Sequence, residues 1–272
     1  MSTIETVKNY WENHPLLSHE LNNISTDNFF IELDKAKRED SDIFALDYWQ
    51  FEAFTGKKIL DVGCGPGWLT VNYALGGAHV QSIDITEAAV NLTKKHLEFK
   101  KTSASVTTGN SESIPYEDNF FDVVVASGTL HHTPDFKRAI AECFRVLKPG
   151  GKAKITLYRK GILHAPMVFF FVRLLMKILK VKHPGADLAV NAQSVDDFIR
   201  MYDGQNNPVG IAFKNNEWSK ILANVGFEVD DICNHFFPVR FVKRGNFVFK
   251  IAHMLLDKYF GTMAYFGLSK PQ

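Results

Sequence analysis

The stretch Lys57-Lys58-Ile59-Leu60-Asp61-Val62-Gly63-Cys64-Gly65-Pro66-Gly67 restricts the fold more than any other part of the chain. Ile59, Leu60 and Val62 make the short apolar run of a buried parallel strand. Glycine then takes every second position up to residue 67, and a helical pattern resumes at Trp68. A strand that gives way to glycines before a helix lets backbone approach a ligand closely. It also aims free N–H groups and a helix N-terminus at that ligand. Asp61, at the strand's carboxyl end, is expected to supply a fixed negative charge beside the turn, suited to a cationic or amine-bearing ligand.

The spacing of the glycines separates two cofactor classes. A dinucleotide fingerprint requires Gly-x-Gly-x-x-Gly. Counted from Gly63 the third place holds Trp68, and counted from Gly65 it holds Thr70. Neither register fits, which disfavours a nicotinamide oxidoreductase. The pattern Asp61-x-Gly63-x-Gly65-x-Gly67 resembles instead the loop of the class I S-adenosylmethionine-dependent methyltransferases. That resemblance implies S-adenosylmethionine as cofactor and S-adenosylhomocysteine as product. It also implies an α/β, Rossmann-like doubly wound fold: a mostly parallel seven-stranded sheet with helices on both faces, plus helical N-terminal and lid additions. A single domain over residues 1–272 is expected, with a helical cap (1–50), a cofactor-binding core (57–160), a lid insertion (161–215) and the rest of the sheet (216–272).

Further along, residues 79–85 read as the second strand and end at Asp84, 17 positions beyond Gly67. A carboxylate there can accept both ribose hydroxyls of a nucleoside, with Ile85 covering one adenine face. An acidic helix cap before Thr86-Glu87 is the alternative reading. After a helix through residues 88–100 and a strand near 105–108 comes Gly109-Asn110-Ser111. The resembling family usually has an acidic residue where Asn110 stands. Asn keeps a carbonyl acceptor for the adenine amine, so Asn110 and Ser111 are expected at the adenine; a plain turn is the alternative.

Residues 120–127 form the fourth strand, ending at Ser127, and Gly128-Thr129-Leu130-His131-His132-Thr133-Pro134-Asp135 follows. In an open parallel sheet the ligand lies where the strand order reverses, outside the carboxyl ends. The first and fourth strands flank that crevice in the fold implied, so His131 and His132 fall where a methyl group would leave. Imidazole titrates near neutrality, which makes either one a candidate base; a structural hydrogen bond across the loop is the competing role. Leu-His-His with Pro-Asp looks like the small-molecule methyltransferases, including those of ubiquinone and menaquinone biosynthesis. The Asn/Asp-Pro-Pro-Tyr/Phe group of DNA-methylating enzymes is missing. A small-molecule acceptor is therefore expected, and no nucleic acid. The rival function is a protein that binds S-adenosylmethionine without transferring its methyl group.

Composition agrees with this class. The chain has 272 residues, 46% hydrophobic content and a formal net charge of +1, so no global field recruits nucleic acid. Cys64, Cys143 and Cys233 show no metal-binding pairing and read as reduced thiols of a cytoplasmic protein. Residues 1–5 show no secretory signal pattern.

Before the first strand, helical spacing through residues 4–11 and again through Phe29, Phe30 and Leu33 marks a leader. It either closes over the cofactor or packs as an arm, and Tyr10, Trp11 and His14 are its positions of interest. Residues 167–180 are intensely apolar, with Arg173, Lys177 and Lys180 on one helical face. Together with a basic, aromatic stretch at 241–260 they are expected to roof an apolar acceptor pocket, with peripheral lipid contact as the second possibility. The polar loop 201–208 either lines the acceptor pocket or only connects. Asn215 or Asn216 is expected to cap a helix over 217–225, and a last strand over 262–268 to pair antiparallel beside the fifth.

Overall fold

The computed structural model describes residues 3–14, 27–38, 46–178, 191–204, 206–235 and 258–272. Seven strands form one sheet: β1 (Lys58–Val62), β2 (His79–Asp84), β3 (Ser105–Thr108), β4 (Phe121–Ser127), β5 (Leu147–Tyr158), β6 (Glu228–His235) and β7 (Met263–Ser269). Their order is β3-β2-β1-β4-β5-β7-β6. The first five run parallel, while β7 pairs antiparallel with both β5 and β6. The sheet is the one expected, and its strand order reverses between β1 and β4.

The described helices are α1 (Ile4–Asn13), α2 (Asp27–Ala36), α3 (Leu46–Trp49), α4 (Trp68–Leu75), α5 (Glu87–Phe99), α6 (Phe136–Val146), α7 (Pro166–Ile178), α8 (Val195–Arg200) and α9 (Asn215–Val225). Alternation along β1 divides the core in two. Leu60 and Val62 face a cluster with Val124, Ile140, Cys143 and Trp218, under α6 and α9. Ile59 faces the other layer, with Trp68, Tyr73, Trp49 and Phe29 from α4, α3 and α2. Asp61 shares the face of Ile59 and so points into the layer beneath α4.

Lys148-Pro149-Gly150-Gly151 has the residue types of a helix stop and turn, yet it lies within β5. β5 already begins at Leu147 opposite Phe121, and the register jumps to pair Val123 with Lys152. The intervening residues form an irregularity tied to Lys270, whose carbonyl accepts the Gly150 N–H at 2.8 Å; Gly150 has φ +74°. The cap of α9 is Lys214, not Asn215 or Asn216, because the Glu217 carboxylate reaches back to accept the Lys214 N–H at 2.8 Å.

Lys180 and residues 241–257 lie outside the described residues. α7 is described, and none of its described side chains lines the cavity at the strand ends. Its buried side packs Phe169 against Phe198, Ala192 and Met201. The described side chains of α7 therefore add nothing to the wall of that crevice, and the other half of the expected roof lies outside the described residues.

Candidate active site

The cavity lies at the carboxyl ends of β2, β1 and β4, with a volume of about 870 Å³ including its open mouth. Its floor comes from the loop after β1, where the backbone must turn left-handed three times: φ is +76° at Gly63, +52° at Gly65 and +79° at Gly67. A side chain at Gly63 would also collide with Thr129, 2.2 Å from an added Cβ. Gly63 and Gly65 are on the cavity wall. Gly67 is not; it caps α4 and lets α5 approach, since an added Cβ would lie 2.8 Å from Thr93.

Asp84, Ile85 and Thr86 line the β2 side. The Asp84 Oδ2 accepts the Gly65 N–H at 3.1 Å, and Oδ1 accepts the N–H and hydroxyl of Thr86 at 3.0 and 2.8 Å. The carboxylate is thus aimed by the glycine loop it faces, while Thr86, not Asp84, caps α5. Burial pushes the Asp84 carboxyl upward despite these donors. Ser111 and Ser127 also reach the wall. Asn110 does not: its Oδ1 accepts the Glu112 N–H at 2.9 Å, closing a local turn that uses the carbonyl expected to read adenine.

Asp61 is 1% exposed and off the wall. Thr70 of α4 donates to its Oδ2 at 2.6 Å and is itself 2.8 Å from the Ser82 hydroxyl. Burial raises its carboxyl from 3.8 to about 7, with Thr70 opposing and Asp84 adding to the rise. The fixed charge read from the sequence is therefore a titrating group near neutrality. The unfolded chain releases this proton near pH 4 and the folded chain keeps it to about 7. Between those values unfolding releases a proton, so stability falls as pH rises. The loss approaches about 4 kcal/mol above pH 7. Urea unfolding at pH 5 and at pH 8 should show this slope, and Asp61→Asn should flatten it; an equal slope in the variant would contradict the assignment.

The two histidines part company. Both sit in a 3₁₀ turn (Leu130–His132) after β4, but only His132 lines the cavity. Its Nδ1 lies 2.7 Å from the Val209 carbonyl and its Nε2 3.0 Å from Oδ2 of Asp203. Nδ1 also lies 3.3 Å from the side-chain Nδ2 of Asn207, so both ring nitrogens are engaged. The Tyr158 hydroxyl donates to the same carboxylate, and Tyr10 donates to the Asp203 carbonyl at 2.5 Å. Burial alone would raise the Asp203 carboxyl, but His132, Tyr158 and Lys37 outweigh it and hold the group below the usual carboxylate range.

His131 is fully buried behind this pair, its ring 3.9 Å from Tyr158 and 4.3 Å from His132. Neither of its nitrogens has a hydrogen-bond partner among the described residues. Burial, and then His132, push it well below the ordinary histidine value, so the ring is neutral. An unpartnered buried polar group costs about 1–3 kcal/mol, offset here by ring contacts of about 1 kcal/mol. His131→Leu should therefore leave the unfolding midpoint unchanged or higher, with cofactor affinity intact by calorimetry. A clear loss of cofactor affinity at unchanged stability would return His131 to the site.

Over the cavity lies α1, which contributes Ile4, Val7 and Trp11 to the wall. Trp11 meets His132 edge-on at 5.2 Å, and His14 stacks on Tyr10 at 4.5 Å. Glu12 fastens the helix by accepting the N–H groups of Glu87 and Ala88 at 3.0 and 2.9 Å, at the N-terminus of α5. Sequence reading missed Glu12, Thr129 and Asp203. For Asp203 the one signal was the polar loop 201–208, which gives no hint of His132 as its partner.

Residues 60–155 match the family model described as a methyltransferase domain. Over 97 residues the chain is 35% identical to a ubiquinone biosynthesis O-methyltransferase of Coxiella burnetii, covering 36% of this chain and 42% of that protein. The namesake enzyme of Hahella chejuensis is 39% identical over 120 residues, 44% of this chain and 49% of the relative. The chain thus spans less than half the length of the curated relatives it matches. A solved S-adenosylmethionine-dependent methyltransferase from Mesorhizobium loti shares the fold, with a TM-score of 0.58 at 15% identity over 83% of this chain and 97% of that one. Glycine loop, sheet order and family match agree: residues 60–155 carry a methyltransferase domain with the features of the class I S-adenosylmethionine-dependent enzymes.

Proposed function

We propose that the protein transfers the methyl group of S-adenosylmethionine to a small-molecule acceptor that is largely apolar. The carrying observation is that one cavity joins Asp84, at the end of β2, to His132, beyond the end of β4, beneath the apolar roof of Ile4, Val7 and Trp11. The relatives' name, an O-methyltransferase of ubiquinone biosynthesis, supports an acceptor of this size and character.

The residues fit the cofactor. Asp84 offers a carboxylate to ribose hydroxyls, and Gly65 faces open space that a side chain would fill. Ser111 and Ile85 line the same cavity, and we assign them to the adenine ring. When bound, the cofactor supplies an electrophilic methyl group on a sulfonium. The protein's share is to hold the acceptor in line and keep water out, which α1 does by covering the cavity.

Of the two candidate bases, we assign the polar role to His132. In the arrangement described its Nε2 faces the Asp203 carboxylate and its Nδ1 the Val209 carbonyl, so it acts first as a polar group held on the cavity wall beside the acceptor. It can accept a proton only after its Nε2 leaves Asp203. Incubating the chain with S-adenosylmethionine and a fractionated metabolite extract should form S-adenosylhomocysteine. Cofactor binding with no product in any fraction would make the protein a binder, not an enzyme.

A further inference from the structure

Six large apolar residues of α7 lie on its outer face: Met167, Phe170, Phe171, Leu174, Leu175 and Ile178, each 43–69% exposed. They follow the spacing i, i+3, i+4, i+7, i+8, i+11 and form one continuous stripe. The opposite side is seated, through Phe169 on Phe198. Along one border of the stripe run half-buried Arg173 and exposed Lys177, and the helix carries no acidic residue. With 13 residues it is about 20 Å long, and no helix among the described residues is long and apolar enough to cross a membrane.

A stripe of this extent left exposed among the described residues marks an interaction surface. Its chemistry selects the occupant. Aromatic and aliphatic side chains along one face, basic groups on the border and no acids match a helix lying in the plane of an anionic lipid surface. The apolar face enters the acyl boundary, and exposed Lys177 reaches the headgroups. We propose that α7 docks the protein peripherally on anionic membranes, outside the cavity and independently of the methyl-transfer reading.

Co-sedimentation of the full chain with vesicles tests this. Vesicles of equal phosphatidylglycerol and phosphatidylcholine should carry the protein down at low salt, less so at high salt, and pure phosphatidylcholine should carry little. The double variant Phe171→Ser, Leu174→Ser should bind at least about tenfold more weakly, and Lys177→Glu about fivefold. Both should keep native cofactor affinity. No sedimentation at low salt, or a double variant that binds like the native chain, overturns the proposal. So does a double variant that is markedly less stable without vesicles, since its own chain would then cover the stripe. A native dimer in gel filtration that the double variant abolishes overturns it too, by giving the face to a second copy.

Discussion

Replacing Asp84 with Ala should weaken binding of S-adenosylmethionine and S-adenosylhomocysteine by on the order of a hundredfold. The side chain is half-buried on the cavity wall, and both oxygens are oriented by the N–H of Gly65 and by Thr86. It enters binding already aimed, so little ordering entropy opposes the contact. Hydrogen bonds to a charged acceptor are each worth about 1.5–3 kcal/mol, and 1.4 kcal/mol is tenfold in affinity. Asp84→Asn keeps one acceptor oxygen and should fall between Ala and the native chain. NAD should bind to none of them, because the third glycine of its loop is absent. Calorimetry showing unchanged S-adenosylhomocysteine affinity in Asp84→Ala would end the ribose assignment.

His132→Gln should leave cofactor affinity within about twofold while turnover drops by roughly a hundredfold, the scale of a lost proton-handling or charge-stabilising group. Gln is chosen because its amide still donates to Asp203, so the variant does not strand a buried carboxylate. Asp203→Asn should move turnover in the same direction, since the ring then faces a neutral amide in place of its carboxylate partner at 3.0 Å. The Asp203 carboxyl gives an independent readout. His132 is among the groups holding it below the usual range, so its carbon-13 titration should shift upward in His132→Gln. Full turnover in both variants, on whatever acceptor the extract yields, would leave the pair a purely structural brace.

These two predictions differ in how far the sequence could have reached them. Asp84 was legible as a wall residue because its position depends on neighbours within a strand, a loop and the next helix. The loop after β1 needs glycine where φ is positive, and a strand of hydrophobic residues can run only through the core. Parallel strands joined by helices must then place the ends of β2, β1 and β4 side by side. Ile85, Ser111 and Ser127 reached the cavity wall by the same logic. Asn110 shows its limit: a side-chain carbonyl can bond the backbone two residues on, and nothing in the residue types says which partner it takes.

His132 was legible as a position, but its chemistry was not. Two adjacent histidines look equivalent in a sequence, yet a 3₁₀ turn sends one to the cavity and the other into a pocket against Tyr158. What each can do with a proton follows from desolvation and partners, and Asp203, Tyr158, Val209 and Tyr10 all arrive from distant parts of the chain. Asp61 makes the same point. Its carboxylate was read as a fixed charge, and burial beneath α4 turns it into a group that titrates near pH 7.

The sequence by itself determined the sheet, the glycine loop and the place of Asp84 at the strand ends. Those rest on local backbone sterics and on the two-residue and 3.6-residue periods of apolar side chains, which a linear chain displays directly. Only the tertiary structure decided which histidine meets the cavity, what charge Asp61 carries, and that α1, held by Glu12 at the start of α5, forms the roof while α7 turns its apolar face outward. Electrostatics and burial depend on distances between residues far apart in the chain, and those distances exist only after folding.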